Sequence, residues 1–224
     1  MTARRSRRSA APRPARPPPA KRAAALPDDA STRERILLAA LEVFAEQGFD
    51  GARTRDIADR AAANLGLIKY YFDTKEKLWQ AAVTRAFGEL QSEIAEAAAV
   101  EPGGDERAQI ERLLREFVAF VARRPAFMRL MNDEGKRDGA RMRWLADRHV
   151  APIVAALRAL VERAQSRGLL PHVAAESMHY IALGAAGLVF SQAPECLYLT
   201  GVDPTDESFA AAHADAVVRL LLGP

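Results

Sequence analysis

Apolar side chains first fall into a helical rhythm at Ile36, Leu37, Ala40, Leu41, Phe44 and Ala45, with charged positions between them. Ser31-Thr32-Arg33-Glu34 precedes the stripe as a capping-box pattern, so a first helix is predicted over about 32–47 with Ser31 as its cap. Gly48 is placed to make the left-handed turn that ends it, and Phe49 to fold back onto the stripe. A short second helix is predicted over 55–62, capped by Thr54, with Ile57, Ala58 and Ala61 turned inward. Asn64 is the expected cap of a third helix over about 65–71, backed by Ile68 and Phe72. The small residues Ala61, Ala62 and Ala63 let those two helices cross closely. Thr74 then caps a fourth helix with Leu78, Ala82 and Ala86 on its inner side.

The remainder stays helical with weaker punctuation. Breaks are predicted at 101–104, at Arg124-Pro125, over 132–139, near Pro152, over 168–171 and around 194–204. Residues 174–193 are apolar on several sides and must be buried on several sides. Residues 207–222 repeat the pattern with Phe209, Ala212, Ala216, Val217, Leu220 and Leu221. The pattern specifies an all-α fold in three parts: an Arg/Pro-rich tail at 1–28, a small helical unit at 29–78 and a larger helical body at 79–224.

Charge changes the picture at the N-terminus. The chain of 224 residues carries a formal +3, yet residues 1–27 hold eight Lys or Arg and no acid. The other residues therefore hold 24 basic and 29 acidic groups, a net of −5. The high isoelectric point belongs to the tail, which contains six of the 13 prolines and almost nothing apolar; it is expected to be disordered. A basic arm of this kind can track phosphates, or it is an extension without a role. No apolar run is long enough to cross a bilayer, and the tail lacks the apolar stretch of a secretory signal. A soluble cytoplasmic protein without membrane association is expected. Cys196 is the one cysteine, so no intrachain disulfide can form.

The third helix combines small, polar, basic and aromatic residues, the set that a helix entering a DNA groove uses. Asn64, Leu65, Gly66, Lys69 and Tyr70 supply its outward side, although Tyr70 and Tyr71 cannot both point the same way. Gly66 costs about 1 kcal/mol in a helix interior relative to Ala, which makes sense where DNA approaches too closely for a side chain. Lys69 can bind phosphate or guanine, and the tyrosines can donate to phosphate. Arg53, Thr54, Arg55 and Lys75 lie at the starts of the flanking helices, where a phosphate is favoured. The net charge gives no support by itself, because residues 31–78 hold eight basic and eight acidic groups.

Taken together, Gly48-Phe49, Thr54-x-x-Ile57-Ala58 and Tyr71-Phe72-x-Thr74-Lys75-Glu76-x-Leu78 resemble the N-terminal domain of the TetR family of transcriptional regulators. Two departures stand out. The family pattern has Gly near Ala62 and Tyr near Lys69, whereas here the aromatic pair sits at Tyr70-Tyr71. The resemblance implies a helix-turn-helix domain at 29–78 that binds double-stranded DNA. It also implies a homodimer formed through 174–193 and 207–222, and a body that senses an unknown small-molecule effector. Candidate pocket residues are Phe117, Phe120, Phe127, Met128, Met131, Trp144, His149 and Tyr180. The expected function is a repressor of an inverted-repeat operator; the alternative is a largely non-specific nucleic-acid-binding protein driven by the basic tail. No cofactor, metal or catalytic residue is expected. His149, His172, His179 and His213 form no zinc-protease pattern, and no phosphate loop or nucleophile elbow occurs.

Overall fold

In a computed structural model of the chain, residues 29–98 and 105–223 are described; the tail at 1–28 and the break at 101–104 lie outside them. Among the described residues the elements are all helical: α1 (Asp29–Gly51), α2 (Thr54–Arg60), α3 (Leu65–Phe72), α4 (Lys75–Ala98), α5 (Glu106–Arg123) and α6 (Pro125–Gly135). They continue as α7 (Ala140–Leu145), a π-helical turn (Ala146–Val150), α8 (Ala151–Ser166), α9 (Ala175–Ser191), α10 (Ala193–Thr200) and α11 (Glu207–Leu222).

The predicted stripe of α1 is its buried face, and Ile36, Leu37, Ala40, Leu41 and Phe44 are all within 5% of complete burial. Gly48 breaks the helix, but with φ 68° and ψ 170° it takes an extended glycine conformation rather than the expected left-handed turn, and a further helical turn runs on to Gly51. The start of α1 differs. The helix begins at Asp29, so Ser31 lies within it, and its hydroxyl accepts a hydrogen bond from Arg35 instead of capping. Glu34 reaches Arg85 on α4. A more distant basic partner has displaced the local capping contact.

Two core clusters hold the helices together. The larger runs from α1–α3 through α4 into α5, α6, α9 and α11, and contains the fully buried Phe44, Trp79, Phe120 and Phe190. The smaller lies at the far end of the body and joins Ile110, Val161, Ala164, Leu170, Met178, Val218 and Leu222. Because α4 belongs to the first cluster along Leu78, Ala82, Val83, Ala86, Phe87 and Leu90, it connects the small unit to the body without a hinge.

One expected break is absent and another falls later than expected, at 201–206. Pro152 interrupts nothing, because it stands in the first turn of α8, where its missing N–H costs no helical bond. The chain passes into it through the π turn at Ala146–Val150. Likewise Pro194 starts α10 where a loop was expected, and the element ends at Gly201 in the left-handed region, φ 74°. The breaks at Arg124-Pro125, at 136–139 and at 168–171 are present.

Candidate DNA-binding face and regulatory cavity

The α2–α3 pair is set on α1 by polar anchors as well as by Ile57, Ala58, Ile68 and Phe72. Arg60 on α2 grips both carboxylate oxygens of Glu46 on α1, each at 2.7 Å. This hydrogen bond from Arg60 holds the Glu46 carboxyl below its ordinary pKa. Arg35 on α1 donates from Nε to the carbonyl of Ala61, at the end of α2, at 3.2 Å.

The turn is a left-handed helix terminus built on alanine. The Ala63 amide bonds to the Ala58 carbonyl at 2.9 Å and the Ala62 amide to that of Asp59 at 3.1 Å, while Ala62 takes φ 48°. The family pattern has glycine near this position. Asn64 then caps α3 as predicted, its side-chain oxygen accepting from the Gly66 amide at 2.8 Å. A methyl group on Gly66 would sit 3.2 Å from that same oxygen.

Leu65, Gly66, Lys69 and Tyr70 form the outer side of α3; Tyr70 is 76% exposed. Tyr71 is half-buried against the core, so the two tyrosines differ in exposure as the sequence required, although their rings meet edge to face with centres 5.2 Å apart. Arg53 and Arg55 are exposed beside α2 and, like Lys69, form no salt bridge among the described residues. Thr54 does not cap α2: it is the first helical residue, and Arg53 occupies the cap position with no side-chain bond. Thr74 does cap α4, accepting from the Lys77 amide at 3.1 Å. Lys75 is turned back, its ammonium 3.3 Å from the Asp50 carbonyl and 4.7 Å from the Phe49 ring centre. Its side chain thus fixes the α1–α2 connection to α4.

A cavity of about 430 Å³ opens between the end of α4, α5, α8 and the first half of α9. Of the eight predicted pocket residues only Phe117 lines it. Phe120, Phe127 and Met128 are buried in the larger core, and Met131 packs against it. Trp144 packs on Trp79 with ring centres 5.6 Å apart. His149 lies in the π turn, stacked 4.8 Å from Phe87, with Nε2 3.2 Å from the Thr84 hydroxyl. Burial pushes the His149 ring below its ordinary pKa, and neighbouring Arg148 adds to the effect. Tyr180 points outward, 71% exposed.

The wall of this cavity is mostly leucine and isoleucine, including Leu113, Leu114, Ile153, Leu157 and Leu160, with Gln109, Arg163 and His179 as its polar members. The signal for this cavity in the sequence is the spacing Ile153, Ala156, Leu157, Leu160 along α8, a second apolar stripe, rather than the aromatic residues.

The chain matches the family model described as bacterial regulatory proteins, tetR family, over residues 36–82. It matches that of the tetracyclin repressor-like C-terminal domain over 107–221. It is 31% identical over 144 residues to the HTH-type transcriptional repressor NicS of Pseudomonas putida. That alignment takes in 62% of this chain and 65% of NicS, just under two thirds of the relative's length. It is 34% identical over 147 residues to the HTH-type transcriptional repressor SCO4008 of Streptomyces coelicolor, covering 64% of this chain and 72% of that protein. The solved structure of AibR in complex with isovaleryl coenzyme A and operator DNA has the same fold. It superposes with a TM-score of 0.69 at 16% identity, covering 86% of this chain and 99% of AibR. No helix among the described residues is long and apolar enough to cross a membrane.

Proposed function

This chain belongs to the TetR family of bacterial regulatory proteins, and from that membership we propose that it is a sequence-specific repressor that binds an inverted-repeat operator as a homodimer and is released by a small molecule. The observation that carries the proposal is the build of α3. Its back, Ile68 and Phe72, is locked into the core, its start is capped by Asn64, and its outer side offers Leu65, Gly66, Lys69 and Tyr70 to a major groove. Arg53, Thr54, Arg55 and Tyr71 are assigned to the flanking phosphates, which set register without reading sequence, and Lys75, its side chain turned back onto Asp50 and Phe49, joins them only through its main-chain amide at the start of α4. The protein is assigned to the cytoplasm, where bacterial DNA is, and no catalytic role is proposed.

The dimer is assigned to α9 and α11, whose outer sides leave Tyr180, Ile181, Leu188 and Leu220 exposed in the single chain. Two-fold pairing there would present two copies of α3 to successive major grooves, about 34–36 Å apart or modestly more. The cavity reaches Ile94 and Ala98 at the end of α4, whose start adjoins α3. A ligand that binds better to a conformation with misaligned recognition helices shifts the population off DNA.

Selection of genomic fragments on the purified protein at about 150 mM salt tests the proposal. Enrichment of one palindromic site is expected. Lys69→Ala combined with Tyr70→Ala should abolish it, and survival of operator affinity in that variant would refute the assignment of α3. Deleting residues 1–28 should leave the sequence preference intact. Loss of most binding on that deletion would favour the non-specific, tail-driven reading.

A further inference from the structure

We infer that the cavity between α4, α5, α8 and α9 takes a single-chain anionic amphiphile, with its aliphatic part among the leucines and its anionic end at Arg163. The inference rests on the reading that the body senses a small molecule, and it names the chemical class.

Position is the first argument. The cavity lies in the gap between the two core clusters: Phe117, Ile153 and Leu183 in its wall pack on the larger, Leu157 and Leu160 on the smaller, and Leu114 on both. These side chains are only half-buried although they face inward. An occupant would remove that apolar surface from water and join the two cores into one. The volume, about 430 Å³, is roughly three times that of a cavity known to hold one benzene. Twelve of the 15 wall residues are apolar and only Phe117 among them is aromatic, so the wall suits a flexible aliphatic chain better than stacked rings.

Charge is the second. Arg163 stands in the wall, and its Nε lies 3.5 Å from Glu106 Oε1. Glu106 Oε2 forms an ion pair with Arg167 at 2.9 Å, without the alignment of a hydrogen bond. Two guanidinium groups thus share one carboxylate that is itself nearly buried, so these three groups sum to one positive charge, with Arg163 the member that reaches the wall. Both arginines keep more than half of their side-chain surface exposed, so either can turn to a second anion. His179, which burial pushes below its ordinary pKa, adds a hydrogen-bonding ring to the wall. Gln109 already donates to the Ala98 carbonyl at 3.3 Å. An anion is therefore matched at this rim, and a cation is not.

The test is calorimetric titration of the full-length protein with decanoate, decan-1-ol and decyltrimethylammonium, three compounds with the same chain and different ends. Decanoate should bind at least tenfold more tightly than the alcohol, and the ammonium least. Arg163→Gln, at an exposed position, should weaken decanoate about tenfold and leave the alcohol unchanged. Ala182→Phe, which fills the cavity, should weaken both chains; its helical circular dichroism establishes that it is folded. Equal binding of all three compounds, or decanoate binding untouched by Arg163→Gln and Ala182→Phe, would overturn the inference. If none of the three binds while another small molecule releases the protein from its operator, the ligand class is refuted and the proposed function stands. If no operator is found, the proposed function falls whatever decanoate does.

Discussion

Arg141 of α7 lies 3.9 Å from the ring centre of Phe49, so the body touches the DNA-binding unit at the Gly48 kink as well as through α4. The same arginine pairs through Nε with Glu134, a carboxylate with only 8% of its side chain exposed, at 3.3 Å. Arg141→Ala would remove the cation from the ring and leave a buried carboxylate without its partner. Urea unfolding should show a loss of about 2–4 kcal/mol, most of it from the stranded charge. Arg141→Lys should recover part of it. A loss below about 0.5 kcal/mol in the alanine variant would mean that Glu134 is adequately solvated without Arg141.

Ala62 at φ 48° keeps an L-residue in the left-handed region, which costs about 1–2 kcal/mol for a residue with a Cβ. Glycine escapes that cost but loses more entropy on folding. Ala62→Gly should therefore raise stability by about 0.5–1 kcal/mol, read as a higher urea midpoint at unchanged slope, with operator affinity preserved. A lower midpoint would show that the Ala62 methyl contributes packing that outweighs the strain.

Gly66 separates a folding role from a DNA-binding one. Ala at this position gains helix propensity but crowds the Asn64 oxygen at 3.2 Å, two effects that nearly cancel. Gly66→Ala should stay within about 1 kcal/mol of the parent in stability while operator affinity falls at least tenfold. A stable variant with full affinity would show that the DNA does not need the empty position.

Stability should fall on mild acidification. Burial lowers the pKa of His149 and of His179 in the folded chain, whereas their unfolded counterparts titrate near about 6.5. Between the folded and unfolded values the unfolded chain binds more protons. The favourable contribution is thus complete above about pH 6.5 and is lost as the pH drops toward the folded values. Urea midpoints at pH 7.5, 6.5 and 5.5 should decline in that order, and His149→Gln should flatten the trend. A midpoint that rises toward pH 5.5 would contradict this.

The frame of α1–α4 was legible because its determinants are local. Asn64 and Thr74 cap helices a few residues away, and Ile68 and Phe72 share a face by spacing alone. The bounds of α11 followed from its periodicity for the same reason. Failures came where a residue's role depends on distant chain. Ser31 looks like a cap until Asp29 is seen to start the helix, and Pro152 and Pro194 look like breaks until each is seen in a first helical turn. The cavity was least legible. Large rings such as Phe120 and Phe127 are the side chains that best fill space, so they lie in the core, and the unfilled space is walled by leucines.

The 24 residues of α4 make a rod about 36 Å long at 1.5 Å per residue. Its buried residues from Leu78 to Leu90 lie in the larger core, and Ile94, which also packs on that core, and Ala98 line the cavity at its far end. Such a rod acts as a lever: a tilt of about 5° over its length carries one end roughly 3 Å relative to the other. Displacements of that size separate a helix seated in a groove from one that has lost its hydrogen-bonding register. The leverage depends on stiffness, and α4 runs from Lys75 to Ala98 as one helix, with Gly88 on its exposed side between the buried Phe87 and Leu90.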